Sequence, residues 1–169
     1  MKVPVMYKKN IFDINYDKLA KDGIKCLLFD LDNTLVAAKQ TVPEKKVIKL
    51  LEKLSKNFKV IIISNSPSKR LVKLHQHLNV DYYAFSLKPL KRNFKKVIKD
   101  HQFDVEDIVL IGDQFMTDVL GGSRMGIKTI LVDPLSGDLM CTKFNRYLET
   151  KVIKKLEKKN LFFKGQYYE

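Results

Sequence analysis

Five short apolar runs, Cys26 to Asp30, Lys59 to Ser64, Tyr82 to Ser86, Asp107 to Gly112 and Lys128 to Val132, recur along this chain without the polar-apolar alternation of a half-solvated strand. Strands that are apolar throughout are buried on both faces, as in a parallel sheet covered by helices. Segments of helical periodicity separate them. Residues 43–56 bring Val47, Leu50, Leu51 and Leu54 to one face, with Thr41 nearby as a cap and Pro43 suited to a first turn. Ser66-Pro67 opens a second helix to about Leu78, with Leu71, Leu74 and Leu78 inward; Pro89 to about His101 and Phe115 to Met125 are two more, the last stopped by Gly126. Strand and helix alternating at this interval predict a three-layer, Rossmann-like α/β fold with a mostly parallel sheet. A further helix is expected from Cys141 to about Asn160, within one domain over residues 1–169 whose core is about 24–134.

Composition narrows the setting. The 169 residues suffice for one hydrophobic core, and 45% apolar with 30% charged residues excludes collagenous, low-complexity and disordered classes. The longest purely aliphatic run, Val60 to Ile63, is far short of the ~20 residues that span a bilayer. The first residues contain no apolar run of signal-peptide length, and two cysteines, Cys26 and Cys141, make no disulfide framework, so a cytoplasmic setting is expected. Cys26, inside the first run, reads as a core residue, and His75 and His77, two apart on a helix, as surface residues. The net charge of +13 suits nucleic acid, anionic lipid or an acidic substrate, but only four of the thirty-two cationic residues are Arg, the residue of bidentate nucleic-acid contacts.

The ends of the apolar runs carry the chemistry. The first closes in Asp30-Leu31-Asp32-Asn33-Thr34, and in extended chain Asp30 and Asp32 point the same way at the carboxyl edge of the sheet, where open α/β folds bind ligands. Another closes in Gly112-Asp113, with Asp118 five residues beyond Asp113 in the first turn of a helix. Four carboxylates from neighbouring strands make a hard-oxygen site, and without a Cys/His cluster the expected cation is Mg2+. Ser64-Asn65-Ser66 offers hydroxyl and backbone N–H donors before a helix, and Lys88 adds an ammonium at the same edge. Together these parts could hold and transfer a phosphoryl group.

At these residues the chain resembles the haloacid dehalogenase-like (HAD) phosphohydrolases, whose four ordered motifs match Asp30 to Thr34, Ser64, Lys88 and Gly112-Asp113 through Asp118. The resemblance implies that Asp30 is the nucleophile that becomes an aspartyl-phosphate, and that Asp32 protonates the leaving oxygen and then activates water. It implies phosphate contacts from Thr34, Ser64, Asn65 and Lys88, Mg2+ held by Asp30, the Asp32 carbonyl and Asp113, and Asp118 behind them. An acid at position 32 argues against dehalogenation, because a halide leaving group needs no proton.

Only thirty-one residues separate Asp32 from Ser64 and twenty-three separate Ser64 from Lys88, each consumed by a helix and a strand, so no lid domain fits and the site is expected to be open. An open site suits a lipid head group, a nucleic-acid end or a protein. Asp13-Ile14-Asn15-Tyr16, Lys21 to Lys25, Gly112-Asp113-Gln114 with Thr117-Asp118 and Gly121-Gly122, and Asn145 to Glu149 look like the YqeG-type branch of subfamily IIIA, similar to phosphatidylglycerophosphate phosphatases. That resemblance implies a phosphorylated substrate, with phosphatidylglycerophosphate at the membrane surface preferred and a location peripheral to the inner face. A phosphatase of nucleic-acid ends or nucleotides, or a non-catalytic basic RNA- or ribosome-binding module, are the alternatives. Were Pro89 to open its helix, Lys88, Lys91, Arg92 and Lys95 would form a basic stripe. The basic tail carries Phe144, Leu148, Val152 and Leu156 at spacing four, then Phe162, Phe163, Tyr167 and Tyr168, a stripe for an anionic leaflet, the sheet or another subunit.

Overall fold

The apolar runs become strands, with one addition at the start: β1 (Met6–Lys8), β2 (Cys26–Phe29), β3 (Lys59–Ile63), β4 (Asp81–Tyr83), β5 (Ile108–Gly112) and β6 (Lys128–Val132). They form one sheet in the order β1-β6-β5-β2-β3-β4, and every neighbouring pair is parallel. The computed structural model describes residues 3–38, 40–136 and 143–169, with the backbone alone at 143–146. Among the described residues six α-helices accompany the sheet: α1 (Tyr16–Lys21), α2 (Lys45–Leu54), α3 (Ser68–Leu78), α4 (Arg92–His101), α5 (Leu120–Met125) and α6 (Lys143–Glu157).

Alternate residues of each central strand feed different layers. Leu27, Phe29, Val60, Ile62, Val109 and Ile111 pack with Leu19, Val47, Leu51, Leu54, Leu71, Leu74 and Leu78 of α1, α2 and α3. Their neighbours Cys26, Leu28, Ile61, Ile63, Ile108 and Leu110 face Phe94 and Val97 of α4. Two covered faces explain the unbroken apolar runs. Cys26 is fully buried in this second layer, and burial pushes its thiol up to about 12, as expected of a core residue.

Three helical expectations are adjusted. The chain bends around Pro89, whose preceding peptide bond is cis, and α4 begins only at Arg92, so Lys88 stands ahead of the helix rather than heading its basic stripe. Residues Phe115–Val119 form a π-helical turn before α5. The C-terminal segment docks on the sheet: Ile153, Leu156 and Phe162 join Tyr7, Phe115, Val119 and Leu131 in a third apolar cluster, and Tyr168 bridges Tyr7. The buried face of α6 runs through Glu149, Ile153 and Leu156; it shares Leu156 with the expected stripe, whose Leu148 and Val152 are only half-buried. Cys141 and the Phe144 side chain lie outside the described residues.

Between β2 and β3, and again between β3 and β4, the described residues hold a single helix and no inserted domain. Among the described residues no helix is long and apolar enough to cross a membrane. From β2 the chain builds outward through β3 and β4, then returns to β5 on the other side, and the carboxyl ends of β2 and β5 therefore flank the crevice where an open sheet reverses direction.

Candidate active site

Asp30 follows β2 directly, and its N–H continues the ladder by donating to the Ile111 carbonyl of β5 at 2.8 Å. Asp113 follows β5, and Asp118 returns to it from the π-helical turn; one oxygen from each of the three carboxylates lies within 4.8 Å of the others. All are buried, at 6%, 2% and 1% exposure. Gly112 makes the close approach possible, because a Cβ there would lie 2.4 Å from the Asp118 carboxyl.

Lys88 neutralises part of this charge. Its ammonium donates to Asp30 Oδ1 at 2.5 Å and Asp118 Oδ1 at 2.7 Å, with only 2% of its side chain exposed. Burial alone would lower the proton affinity of Lys88, but Asp118 and Asp30 outweigh it and hold the ammonium charged. Burial pushes Asp30 up to about 7, against the pull of Lys88 and with repulsion from Asp118 and Asp32. Three buried carboxylates whose oxygens lie this close form a hard-oxygen group that could hold a divalent cation. Both Asp118 oxygens are engaged, since Oδ2 accepts from the Gln114 N–H at 3.1 Å, so this residue braces the cluster while Asp30 and Asp113 face it as hard oxygen donors.

Asp32 departs from the expected quartet. Directly after Asp30 the chain tightens: Leu35 and Val36 N–H both donate to the Leu31 carbonyl, and Asn33 adopts a left-handed φ of 63°. The Asp32 carboxylate is turned to Ser66 Oγ, which donates to it at 2.6 Å, and to the Arg70 guanidinium of α3. Arg70 also reaches the Gln40 carbonyl at 2.9 Å and thereby ties α3 to the loop after β2. Nothing in the spacing of Arg70 announced this role; only the docking of α3 against that loop creates it.

Ser64 and Thr34 are both 1% exposed. Ser64 Oγ accepts from the Ser66 N–H at 3.0 Å, and among the described residues Thr34 Oγ1 has no hydrogen-bond partner. The Asn65 side chain is committed to the Lys88 loop: Oδ1 accepts from Lys88 N–H at 2.8 Å and Ser86 Oγ at 2.7 Å, while Nδ2 donates to the Lys88 carbonyl at 3.2 Å. Its role is thus to position Lys88, leaving only its backbone N–H for an anion. Glu149, buried on α6, accepts from the Phe115 N–H at 2.5 Å and anchors the turn that carries Asp118. It passed unnoticed in the sequence because a glutamate in a lysine-rich helix reads as solvent-facing.

The expected histidine pair is exposed and apart from these groups. A groove of about 590 Å3 runs along edge strand β4, lined by residues that include His75, Tyr83, Asn93 and His101, but it contains none of the carboxylates or Lys88. The acidic cluster lies instead at the open carboxyl edge of the sheet. Buried carboxylates, a charged lysine and hydroxyls at four strand ends can bind a cation and a phosphoryl group and supply a carboxylate nucleophile.

Comparison with known proteins agrees with that chemistry. Residues 87–138 match the model of the HAD-hydrolase-like family. The chain is 36% identical over 159 residues to the "Probable phosphatase YqeG" of Bacillus subtilis (strain 168), covering 93% of this chain and 92% of that protein. It is 24% identical over 144 residues to phosphatidylglycerophosphate phosphatase 1, chloroplastic/mitochondrial, of Arabidopsis thaliana, covering 79% of this chain and 41% of that longer protein. Among solved structures, an uncharacterized protein from Listeria monocytogenes serotype 4b superposes with a TM-score of 0.57 at 22% identity, over 69% of this chain and 85% of that one. YfnB from Bacillus subtilis, solved bound to magnesium, gives 0.55 at 15% identity over 66% and 95%. At these identities the structural likeness bears on the fold.

Proposed function

The chain belongs to the HAD-like hydrolases, in the branch of the YqeG phosphatase, and we propose that it hydrolyses a phosphomonoester through an aspartyl-phosphate on Asp30, with Mg2+ as cofactor and a phospholipid as substrate. The observation that carries this reading is the buried group of Asp30, Asp113 and Asp118 around Lys88 at the sheet's reversal point.

Asp30 attacks phosphorus with a carboxylate oxygen, the bond from phosphorus to the leaving oxygen breaks, and Asp32 delivers a proton to that oxygen. In the second step Asp32 accepts a proton from water, the water oxygen attacks phosphorus, and the acyl-phosphate bond breaks to return Asp30 and inorganic phosphate. Lys88, the Ser64 hydroxyl, the unpartnered Thr34 hydroxyl and the Asn65 N–H are the donors for the phosphoryl oxygens. Arg70 and Ser66 orient Asp32 between the two proton transfers. Asp30, Asp113 and the Asp32 carbonyl would hold Mg2+, whose charge offsets that of the phosphoryl oxygens and of the crowded carboxylates. A magnesium-bound protein of the same fold accords with that choice.

The lipid is supported by likeness to the plant phosphatidylglycerophosphate phosphatase, by the uncapped edge, and by exposed Lys91, Arg92 and Lys95 at the start of α4. The enzyme would act as one domain from the cytoplasmic side, peripheral to the membrane. A panel assay tests the reading: with Mg2+, phosphate release from phosphatidylglycerophosphate in vesicles should exceed release from nucleotides, 5′-phosphorylated oligonucleotides and sugar phosphates. Preference for oligonucleotides or nucleotides would replace the lipid with a nucleic-acid substrate. No release from any member would favour a non-catalytic binder.

A further inference from the structure

Residues 85–90 invert the usual loop pattern. Ser86 and Lys88 are buried at 1% and 6% exposure, whereas Phe85, Leu87 and Leu90 stand out at 56%, 54% and 54%. Phe85 and Leu87 also adopt left-handed backbone, with φ of 46° and 52°, a conformation that favours Gly or Asn over bulky apolar residues. The fold imposes this shape from beneath. Phe85 N–H donates to the Ser66 carbonyl at 3.2 Å, Ser86 N–H to the Ser64 carbonyl at 2.9 Å, and Asn65 grips both Ser86 and Lys88. The apolar side chains are therefore held outward on a braced loop, at positions where a water-facing loop gains nothing from them.

We propose that this loop seats the protein on an anionic phospholipid bilayer, with Phe85, Leu87 and Leu90 entering the acyl boundary and Lys91, Arg92 and Lys95 meeting the head groups. Three arguments select this occupant. Apolar residues beside a cluster of cations match an anionic interface, apolar below and negative above. The net charge of +13 draws the whole molecule to such a surface. Lys88 lies between Leu87 and Leu90 and reaches Asp30, so docking the loop brings the catalytic edge to the leaflet in the same movement. The inference deepens, and rests on, the lipid-phosphatase reading above: it names the element by which the enzyme would meet its substrate.

The chain contains no tryptophan, so Leu90→Trp introduces a single fluorophore at the loop tip. On vesicles of phosphatidylglycerol and phosphatidylcholine its emission should shift to the blue and be quenched by brominated acyl chains, with little change on phosphatidylcholine alone. The triple variant Phe85→Asn, Leu87→Asn, Leu90→Gln uses residues that tolerate the local backbone and should retain the wild-type thermal transition. Its affinity for the anionic vesicles, read by cosedimentation, should fall by about tenfold per residue changed and so by about a thousandfold together. Both proteins should hydrolyse p-nitrophenyl phosphate equally. Unshifted, unquenched Leu90→Trp emission, or triple-variant binding equal to wild type, would overturn the proposal. So would a wild-type dimer that the triple variant dissolves, because the loop would then be a protein interface. Failure of both proteins on p-nitrophenyl phosphate would count against the phosphatase reading instead, since vesicle binding is read separately.

Discussion

Lys88 Nζ lies 2.5 Å from Asp30 Oδ1, so the lysine and the proposed nucleophile share one buried ion pair while the same ammonium reaches Asp118. The pair holds the loop after β4 against the end of β2, beside the carboxylates proposed to bind Mg2+. Lys88→Met should therefore strip the cluster of its fixed positive charge and destabilise metal-free protein by about 3–5 kcal/mol. Added Mg2+ should recover much of that loss. Thermal unfolding of wild type and variant in chelator and in Mg2+ checks the prediction; an equal deficit in both would separate Lys88 from the cation site. Chelator should also stop phosphate release, and Asp113→Ala should weaken the response to Mg2+.

The Asp30 carboxyl, ordinarily near 3.8 and raised to about 7 here chiefly by burial, predicts a stability slope with a definite sign. Its proton is held more tightly in the folded chain than in the unfolded one. Its contribution is therefore complete below about pH 4 and is lost as pH rises through about 7, by up to ~1.4 kcal/mol per pH unit between. In chelator, the wild-type melting temperature should fall relative to Asp30→Asn across that interval, because the amide does not ionise and Lys88 keeps Asp118. Parallel pH profiles for the two proteins would contradict the electrostatic account.

What the sequence made legible was the chemistry anchored to strand ends. Asp30, Asp113 and Lys88 follow apolar runs, and a parallel sheet brings such ends to one edge whatever the helices do. Side chains whose neighbours depend on helix docking were hidden. Arg70 meets Asp32 only because α3 packs beside the loop after β2. Asp32 still acts electrostatically on Asp30, but its hydrogen-bond partners Ser66 and Arg70 come from the loop and helix after β3, which spacing along the first strand does not give. The three-residue β1 is too short for periodicity to reveal, and of the expected C-terminal stripe Leu156 is buried while Leu148 and Val152 are only half-buried, because contact with Tyr7 and Phe115, rather than spacing alone, selects the buried face of α6.

Glu149 gives a test of that docked helix. Glu149→Gln keeps the shape but weakens a charge-assisted bond to the Phe115 N–H, and should cost about 1–2 kcal/mol; Glu149→Leu should cost more. For a chain of this size that is a drop of several degrees in melting temperature. Because the same turn carries Asp118, weaker Mg2+ affinity in calorimetry should accompany the thermal loss. Unchanged affinity would confine Glu149 to packing.

In the proposed mechanism the Asp32 carboxylate, held by Ser66 and Arg70, transfers protons and does not ligate the metal. Asp32→Asn should slow phosphoenzyme formation from an alkyl phosphate by about 10²–10⁴-fold and affect an activated aryl ester far less. Equal losses on both esters would remove Asp32 from the general-acid role. Arg70→Gln should lower kcat on the alkyl ester with little change in KM, as expected for a residue that orients Asp32.

The proposed covalent role of Asp30 is tested most directly by trapping the phosphoenzyme. Wild-type protein mixed with a radiolabelled phosphomonoester and Mg2+, quenched in acid and digested, should carry a hydroxylamine-sensitive label on the peptide containing Asp30. Asp30→Asn, folded but unable to attack through a carboxylate, should carry none and release no phosphate. Label on another residue, or turnover by Asp30→Asn within tenfold of wild type, would contradict the mechanism.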